Sequence, residues 1–186
     1  MNRIRLGAPL TLLVAAGCVL GTYGPGAAHF GISGNLGSLL LPWTWLRLLT
    51  WPFVHANTAH LLGNLMFFLL LAPNLERKQG PLEFLFCLGL TSVIIGVGHL
   101  LFGSATTSLI GASGWVFMLI LLSTFTTGEA GTLTVPTILV AVLYGWQEIS
   151  AAFTPNQVSQ FAHLLGGVCG LVFGLLGSGQ HPADRK

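Results

Sequence analysis

The sequence predicts an all-α polytopic membrane protein: a bundle of six transmembrane helices that forms one membrane domain over residues 1–186, with a long membrane-associated first loop. Hydrophobic residues make up 53% of the chain and charged residues only 6%, whereas an ordinary soluble domain carries about 25% charged residues. So few charges cannot coat a surface that faces water, and we therefore expect this surface to face a lipid bilayer. The net charge of +2 is too small and too dispersed to favour a nucleic-acid partner.

Six apolar runs carry this prediction, because each is near the roughly 20 residues that a helix needs to cross the hydrocarbon core. They are residues 6–23, 58–73, 82–102, 112–127, 133–153 and 158–177. Polar or turn-forming segments separate them. The long connection, 24–57, is rich in Gly, Pro and Trp. We expect it to fold onto or into the membrane surface, with Trp43, Trp45 and Trp51 as interfacial anchors.

Basic residues set the orientation of these spans. With six spans, one side of the membrane collects Arg3, Arg5, Arg77, Lys78, Arg185 and Lys186. The opposite side has Arg47 alone. Because cytoplasmic segments are enriched in Lys and Arg, both termini are predicted to be cytoplasmic. An alternative interpretation takes residues 1–28 as a cleaved signal peptide, which would leave five spans and remove this charge asymmetry.

Polar side chains fall within the first turns of the second, fourth and sixth spans, the three that enter from the outer face. The second span begins with His55, His60 and Asn64, the fourth opens with Ser113, and the sixth carries His163. At 1.5 Å per residue, all of them lie within roughly 10 Å of the outer boundary. Polar groups at membrane depth are costly and face a protein interior or a watery cavity, so these residues predict a single functional site.

A glycine stripe indicates how the fourth and sixth spans meet. Gly166, Gly170 and Gly174 follow His163 on its own helical face, and small residues allow helix backbones to approach closely in lipid. A partner helix that begins with the segment GASG, residues 111–114, suits such an approach. The contact would bring Ser113 within hydrogen-bond reach of His163, the arrangement that activates a serine hydroxyl. Plain helix packing explains the same pattern and stays open as an alternative.

These residues resemble the rhomboid family of intramembrane serine proteases, over Trp45 to Gly174. The elements occur in family order: Arg47 in the first loop, H-x4-H-x3-N at His55, His60 and Asn64, a basic turn ending at Gly80, G-x-S-G at residues 111–114, and A-H-x2-G-x3-G at Ala162, His163, Gly166 and Gly170. The resemblance implies a location in the inner (cell) membrane of a bacterium. The partners it implies are single-pass transmembrane proteins, cut near the outer face.

The resemblance also implies a role for each residue. Ser113 would attack the scissile carbonyl and His163 would take its proton, without an acidic third member. An oxyanion and substrate-binding set would comprise His60, Asn64 and Gly111, together with the Ser113 backbone N–H. Structural support would come from His55, Arg47, Gly166 and Gly170, and Trp146 would line the lateral entrance for substrate. Neither a cofactor nor a metal is expected.

Two positions depart from the family pattern. Leu46 precedes Arg47 where family members often have Trp, and Phe117 stands one turn after Ser113 where Tyr is common. The second departure removes a hydroxyl that would orient His163. An alternative function is a rhomboid-like binder that recognises transmembrane segments without cutting them.

A transporter of metal ions or protons that uses the histidines is a further alternative. Acidic residues are almost absent from the spans, although divalent ions usually need charge compensation. His99, near the outer end of the third span, is interpreted as an interfacial residue. The cysteines Cys18, Cys87 and Cys169 lie far apart in apolar runs without a CxxC pair, so we interpret them as packing residues. Neither the substrate nor the oligomeric state is predicted.

Overall fold

The computed structural model describes residues 7–26, 29–126, 142 and 157–178, and the described part is mostly helical. Its helices are α1 (Pro9–Tyr23), α2 (Pro42–Thr50), α3 (Thr58–Gln79), α4 (Pro81–Phe102), α5 (Ser113–Thr126) and α6 (Gln157–Ser178). Short 3₁₀ helices span Leu36–Leu40 and Trp51–Phe53, and two short strands are β1 (Ile32–Ser33) and β2 (Ser108–Leu109). The predicted fifth span, 133–153, and Trp146 within it lie outside the described residues, apart from Val142.

The ends of α3 follow from local chemistry. Asn57 caps its N-terminus, where the side-chain oxygen accepts the His60 backbone N–H at 2.9 Å. Gly80 ends it at φ 90°, and Pro81 then starts α4 with the fixed φ that a first helical position needs. The helix extends beyond the predicted span 58–73 because the segment after Pro73, although mostly polar, consists mainly of strong helix formers.

A buried carboxylate joins α1 to the far end of α3. Glu76, only 3% exposed, accepts the backbone N–H groups of Leu10 at 3.0 Å and Thr11 at 2.7 Å, and the Thr11 hydroxyl at 2.7 Å. The first N–H groups of a helix have no partner within the helix, and the positive end of its dipole favours an anion. At the other end of α1, the hydroxyls of Tyr23 and Thr58 lie 2.7 Å apart. The two helices are therefore antiparallel.

Helices α5 and α6 pack closely along the glycine stripe. A Cβ added to Gly166 would lie 3.0 Å from the carbonyl carbon of Gly114 and closer still to its oxygen. Gly170 meets the Met118 backbone in the same way, and Gly174 meets the Phe125 ring. Because these contacts advance in the same direction along both helices, α5 and α6 are parallel and begin at the same end of the molecule.

The first loop is tied to the segment that precedes α5. Strand β1 pairs antiparallel with β2, with Ile32 opposite Leu109 and Ser33 opposite Ser108. Helix α2 buries Thr44 and Leu48 on one face, while Trp43 and Trp45 are 68% and 61% exposed on the other. An exposed aromatic face of this kind is typical of a segment that lies at a membrane interface.

Two side chains that were predicted at the interface are buried, so that prediction is wrong for both. Trp51 is 1% exposed and donates its indole N–H to the Ser92 carbonyl at 3.1 Å. The 3₁₀ turn directs it inward, against a space that Gly96 of α4 leaves open. His99 is 2% exposed, with Nε2 3.4 Å from the Thr107 carbonyl.

The exposed surface is apolar, as in a membrane protein. Three of the described helices are long and apolar enough to cross a membrane: Thr58–Gln79, Pro81–Phe102 and Gln160–Gly177. Two further apolar helices, Pro9–Tyr23 and Ser113–Phe125, are shorter. Large apolar side chains such as Leu13, Leu70 and Leu164 are about two-thirds exposed, at 68%, 67% and 68%. In water a continuous surface of this kind would cause aggregation, whereas in lipid it is the normal exterior.

Candidate active site

The beginnings of α3 and α5 meet at Gly111. This glycine has φ 103°, a conformation that L residues rarely adopt. A Cβ added there would lie 2.6 Å from Cε1 and 2.7 Å from Nε2 of His60, and 3.5 Å from Nδ2 of Asn64. Both side chains therefore face the backbone just before Ser113, and only glycine leaves them room.

Ser113 and His163 lie next to the first of the close backbone contacts between α5 and α6, the one between Gly114 and Gly166. Ser113 is the first residue of α5. Its neighbour Gly114 is in contact with Gly166, and a Cβ on Gly114 would lie 3.6 Å from the carbonyl oxygen of Ala162. The rings of Phe117 and His163 are stacked, with centroids 4.5 Å apart and an interplanar angle of 13°. Since residues four apart share a helical face, Ser113 lies on the face of α5 that His163 covers.

Asn64 presents an unsatisfied donor at this place. Its side chain is 5% exposed, and Nδ2 finds no hydrogen-bond partner among the residues that the structure describes. A buried amide N–H without an acceptor costs about 1–3 kcal/mol. The group lies beside Gly111, so an oxygen atom bound there would recover that energy.

His55 supports the peptide before Ser113. It precedes α3, is 5% exposed, and its Nε2 accepts the backbone N–H of Ala112 at 3.2 Å. Burial, with a smaller contribution from the neighbouring His60, lowers the pKa of His55 from 6.5 to about 4, although the Phe53 carbonyl opposes the shift. The rings of His55 and His60 lie edge to face with centroids 5.0 Å apart. His55 is therefore neutral at pH 7, as an acceptor at Nε2 must be.

The remaining predicted site residues within the described ranges are Gly170 and Arg47. Gly170 contacts the Met118 backbone, one turn beyond Gly166. Arg47 lies half-buried in α2, and no hydrogen bond or ion pair joins it to the described side chains around Gly111. Within the described ranges no group of three His, Cys, Asp or Glu side chains is placed to hold a metal ion.

The roles of two residues around the site could not be predicted from the sequence. The Trp51 carbonyl accepts the Gly111 N–H at 3.4 Å, and its ring lies 3.6 Å from a Cβ placed on Gly114. Thr22, in the last turn of α1, lies 3.2 Å from Nδ1 of His55. Trp51 lies in a tryptophan-rich loop whose composition predicts an interfacial position. A threonine at the end of a span, such as Thr22, does not by itself indicate a role in a site.

The chain is similar in sequence to known proteins. A family model described as Rhomboid domain matches residues 42–180. A protein of Bacillus subtilis (strain 168) named "Putative rhomboid protease YdcA" is 29% identical over 134 residues, which cover 68% of this chain and 63% of that protein. "Putative rhomboid protein L523" of Acanthamoeba polyphaga mimivirus is 28% identical over 128 residues, covering 67% of this chain and 70% of that protein. The chain thus spans less than two thirds of the first relative's length.

Proposed function

The chain belongs to the rhomboid family, and on that premise we propose that it is an intramembrane serine endopeptidase. It cleaves single-pass transmembrane proteins near the outer face of the bilayer. The proposed architecture has six spans, with the fifth at 133–153 and with both termini cytoplasmic in a bacterial inner membrane.

The observation that carries this proposal is the packing around Ser113. The Gly114–Gly166 contact and the Phe117–His163 stack bring the serine-bearing face of α5 against His163. In the proposed reaction, the Ser113 hydroxyl attacks the scissile carbonyl while His163 takes its proton. His163 then gives this proton to the leaving amine. In the second half of the reaction water attacks the acyl-enzyme, with His163 taking a proton from the water and returning it to Ser113. Phe117 holds the imidazole by stacking, a contribution of about 0.5–1.5 kcal/mol for aromatic pairs.

The surroundings of Gly111 suit the negative oxygen of the tetrahedral intermediate. The unsatisfied Asn64 amide and the His60 ring face this backbone, and the Ser113 N–H is among the first N–H groups of α5, which have no partner within the helix. A donor aimed at a developing oxyanion typically contributes about 2.7–4 kcal/mol to the transition state. We therefore assign these three donors to the oxyanion and expect Asn64→Leu to lower kcat by roughly 100-fold or more.

Access for substrate is the remaining part of the proposal. A transmembrane segment reaches the site laterally, past Trp146 of the fifth span. Arg47 supports the first loop, which lies in the interface through the exposed tryptophans of α2. Neither a cofactor nor a metal takes part in this mechanism.

Labelling with a fluorophosphonate probe tests the proposal, because such probes react with activated serines. The detergent-purified protein is compared with Ser113→Ala, His163→Ala and the matched control Ser123→Ala. Ser123 lies on the same helix, 3% exposed, and its hydroxyl is bonded to the Ile120 carbonyl. We expect labelling of the wild type and of Ser123→Ala, and none of the other two. A folded wild type that takes no label would favour the non-cleaving binder.

A further inference from the structure

The peptide before Ser113 is one end of a hydrogen-bond chain whose direction is fixed. The Ala112 backbone N–H can only donate, so Nε2 of His55, 3.2 Å away, must accept. A neutral imidazole carries one proton, which therefore lies on Nδ1. This assignment follows from the backbone donor and needs no assumption about His163 or about a substrate.

The other end of the chain is Thr22 of α1. Its Oγ1 lies 2.7 Å from the Cys18 carbonyl, 3.2 Å from Nδ1 of His55 and 3.4 Å from the Phe53 carbonyl. A hydroxyl has one hydrogen, and the shortest of these contacts directs it to Cys18. A lone pair of Oγ1 is then left for the Nδ1 proton. Each donor from Ala112 through His55 and Thr22 to Cys18 therefore meets an acceptor.

We propose that Thr22 is a positioning residue for the proposed reaction, acting through His55 to hold the segment 111–113 against His60 and Asn64. The proposal rests on the proposed function. Helix α1 contributes no group to the reacting atoms, yet its last turn fixes the His55 ring that accepts the Ala112 N–H. In the other tautomer, the proton on Nε2 of His55 would face the Ala112 N–H. The two donors would repel each other, and the segment that carries the Ser113 nucleophile would lose this support.

A second acceptor for the Nδ1 proton of His55 limits the loss of activity expected when the Thr22 hydroxyl is removed. The Phe53 carbonyl also faces the His55 ring, so the Nδ1 proton keeps one acceptor in Thr22→Val. One neutral hydrogen bond corresponds to about a threefold to tenfold change in rate. We expect kcat to fall by that factor with KM unchanged, because the transmembrane substrate does not contact the hydrogen bonds that link Ala112, His55, Thr22 and Cys18. Thr22→Ser should restore kcat.

The test combines cleavage kinetics with ¹⁵N NMR of histidine-labelled protein in detergent. The His55 resonances are assigned by their loss in His55→Gln. The matched control is Thr50→Val, because the Thr50 hydroxyl makes the same bond to the carbonyl four residues earlier, at 3.1 Å, and bonds to no other element in the described part of the chain. We expect a proton on Nδ1 of His55 in all three proteins, because the Ala112 N–H still requires Nε2 to accept. Only in Thr22→Val should the Nδ1 resonance shift, because its proton loses the Thr22 acceptor.

The possible results separate the two proposals. A proton on Nε2 of His55 in the wild type would refute the proposed hydrogen-bond chain. This test uses the wild type alone and so does not depend on whether Thr22→Val folds. A Thr22→Val variant with the kcat of Thr50→Val would overturn the positioning role. A wild type that cleaves no substrate would refute the proposed function and with it the positioning role of Thr22. The NMR spectrum would still show whether the hydrogen-bond chain from Ala112 to Cys18 exists.

Discussion

Replacing Gly166 by alanine should separate the two helices that carry the proposed dyad. The added Cβ would lie 3.0 Å from the carbonyl carbon of Gly114 and 3.1 Å from its Cα, with the carbonyl oxygen nearer still, whereas ordinary contacts begin at 3.4 Å. Backbone atoms cannot rotate away, so α6 must withdraw from α5 by about 1 Å to reach a normal van der Waals separation. A misplacement of this size costs roughly 100-fold in rate.

The neighbouring glycine provides the matched control. Among the residues that the structure describes, a Cβ on Gly167 would meet Leu121 alone, at 3.8 and 4.0 Å, which is ordinary contact. Cleavage of a reconstituted transmembrane substrate should therefore fall by roughly 100-fold in Gly166→Ala and stay near the wild-type rate in Gly167→Ala. Thermal melting in detergent should show both variants folded, with a modest destabilisation of about 1–3 kcal/mol from overpacking in the first. Equal rates for the two variants would refute the assignment of the reaction to the α5–α6 contact.

Three further outcomes are expected. Phe117→Leu removes the stack on His163 and should lower kcat about 2- to 10-fold, whereas Phe117→Tyr keeps the rate or raises it; a leucine variant with the wild-type rate would contradict the stacking role. Glu76→Gln weakens the charged cap of α1 and should destabilise the fold by about 1–3 kcal/mol in thermal melting, while Glu83→Gln, exposed in the first turn of α4, should change nothing. Burial, together with the neighbouring His60, lowers the pKa of His55 in the folded protein from 6.5 to about 4. Between these pH values the unfolded chain binds a proton that the folded chain does not, so the stability associated with neutral His55 is complete above about pH 6.5 and declines as the pH falls toward 4. The fall in Tm over this range should be smaller in His55→Gln, and an identical pH dependence would contradict the buried neutral state.

Long apolar runs in the sequence predicted α1, α3, α4, α5 and α6, and the spacing of small residues predicted the contact between α5 and α6. The spacing of Gly166, Gly170 and Gly174 is enough to define a face, and the structure places that face against Gly114, Met118 and Phe125. The histidine and asparagine of α3 were predicted to share a face because they are four residues apart, and both lie beside Gly111.

Features that depend on distant partners were not predictable in this way. The role of Thr22 depends on the tautomer of a ring 33 residues away, and no local pattern marks it. Glu76 reads as part of a solvated basic turn, although it is buried as the cap of α1. Trp51 resembles an interfacial anchor in the sequence. Its burial depends on a 3₁₀ turn and on the space beside Gly96, which no local pattern indicates.

The most direct test of the central claim is mass spectrometry of a single-pass substrate incubated with the purified protein in lipid vesicles. We predict new chain ends within the outer part of the transmembrane segment, present with the wild type and absent with Ser113→Ala. A substrate that stays intact while it co-purifies with the folded wild-type protein would contradict the protease and identify a binder of transmembrane segments.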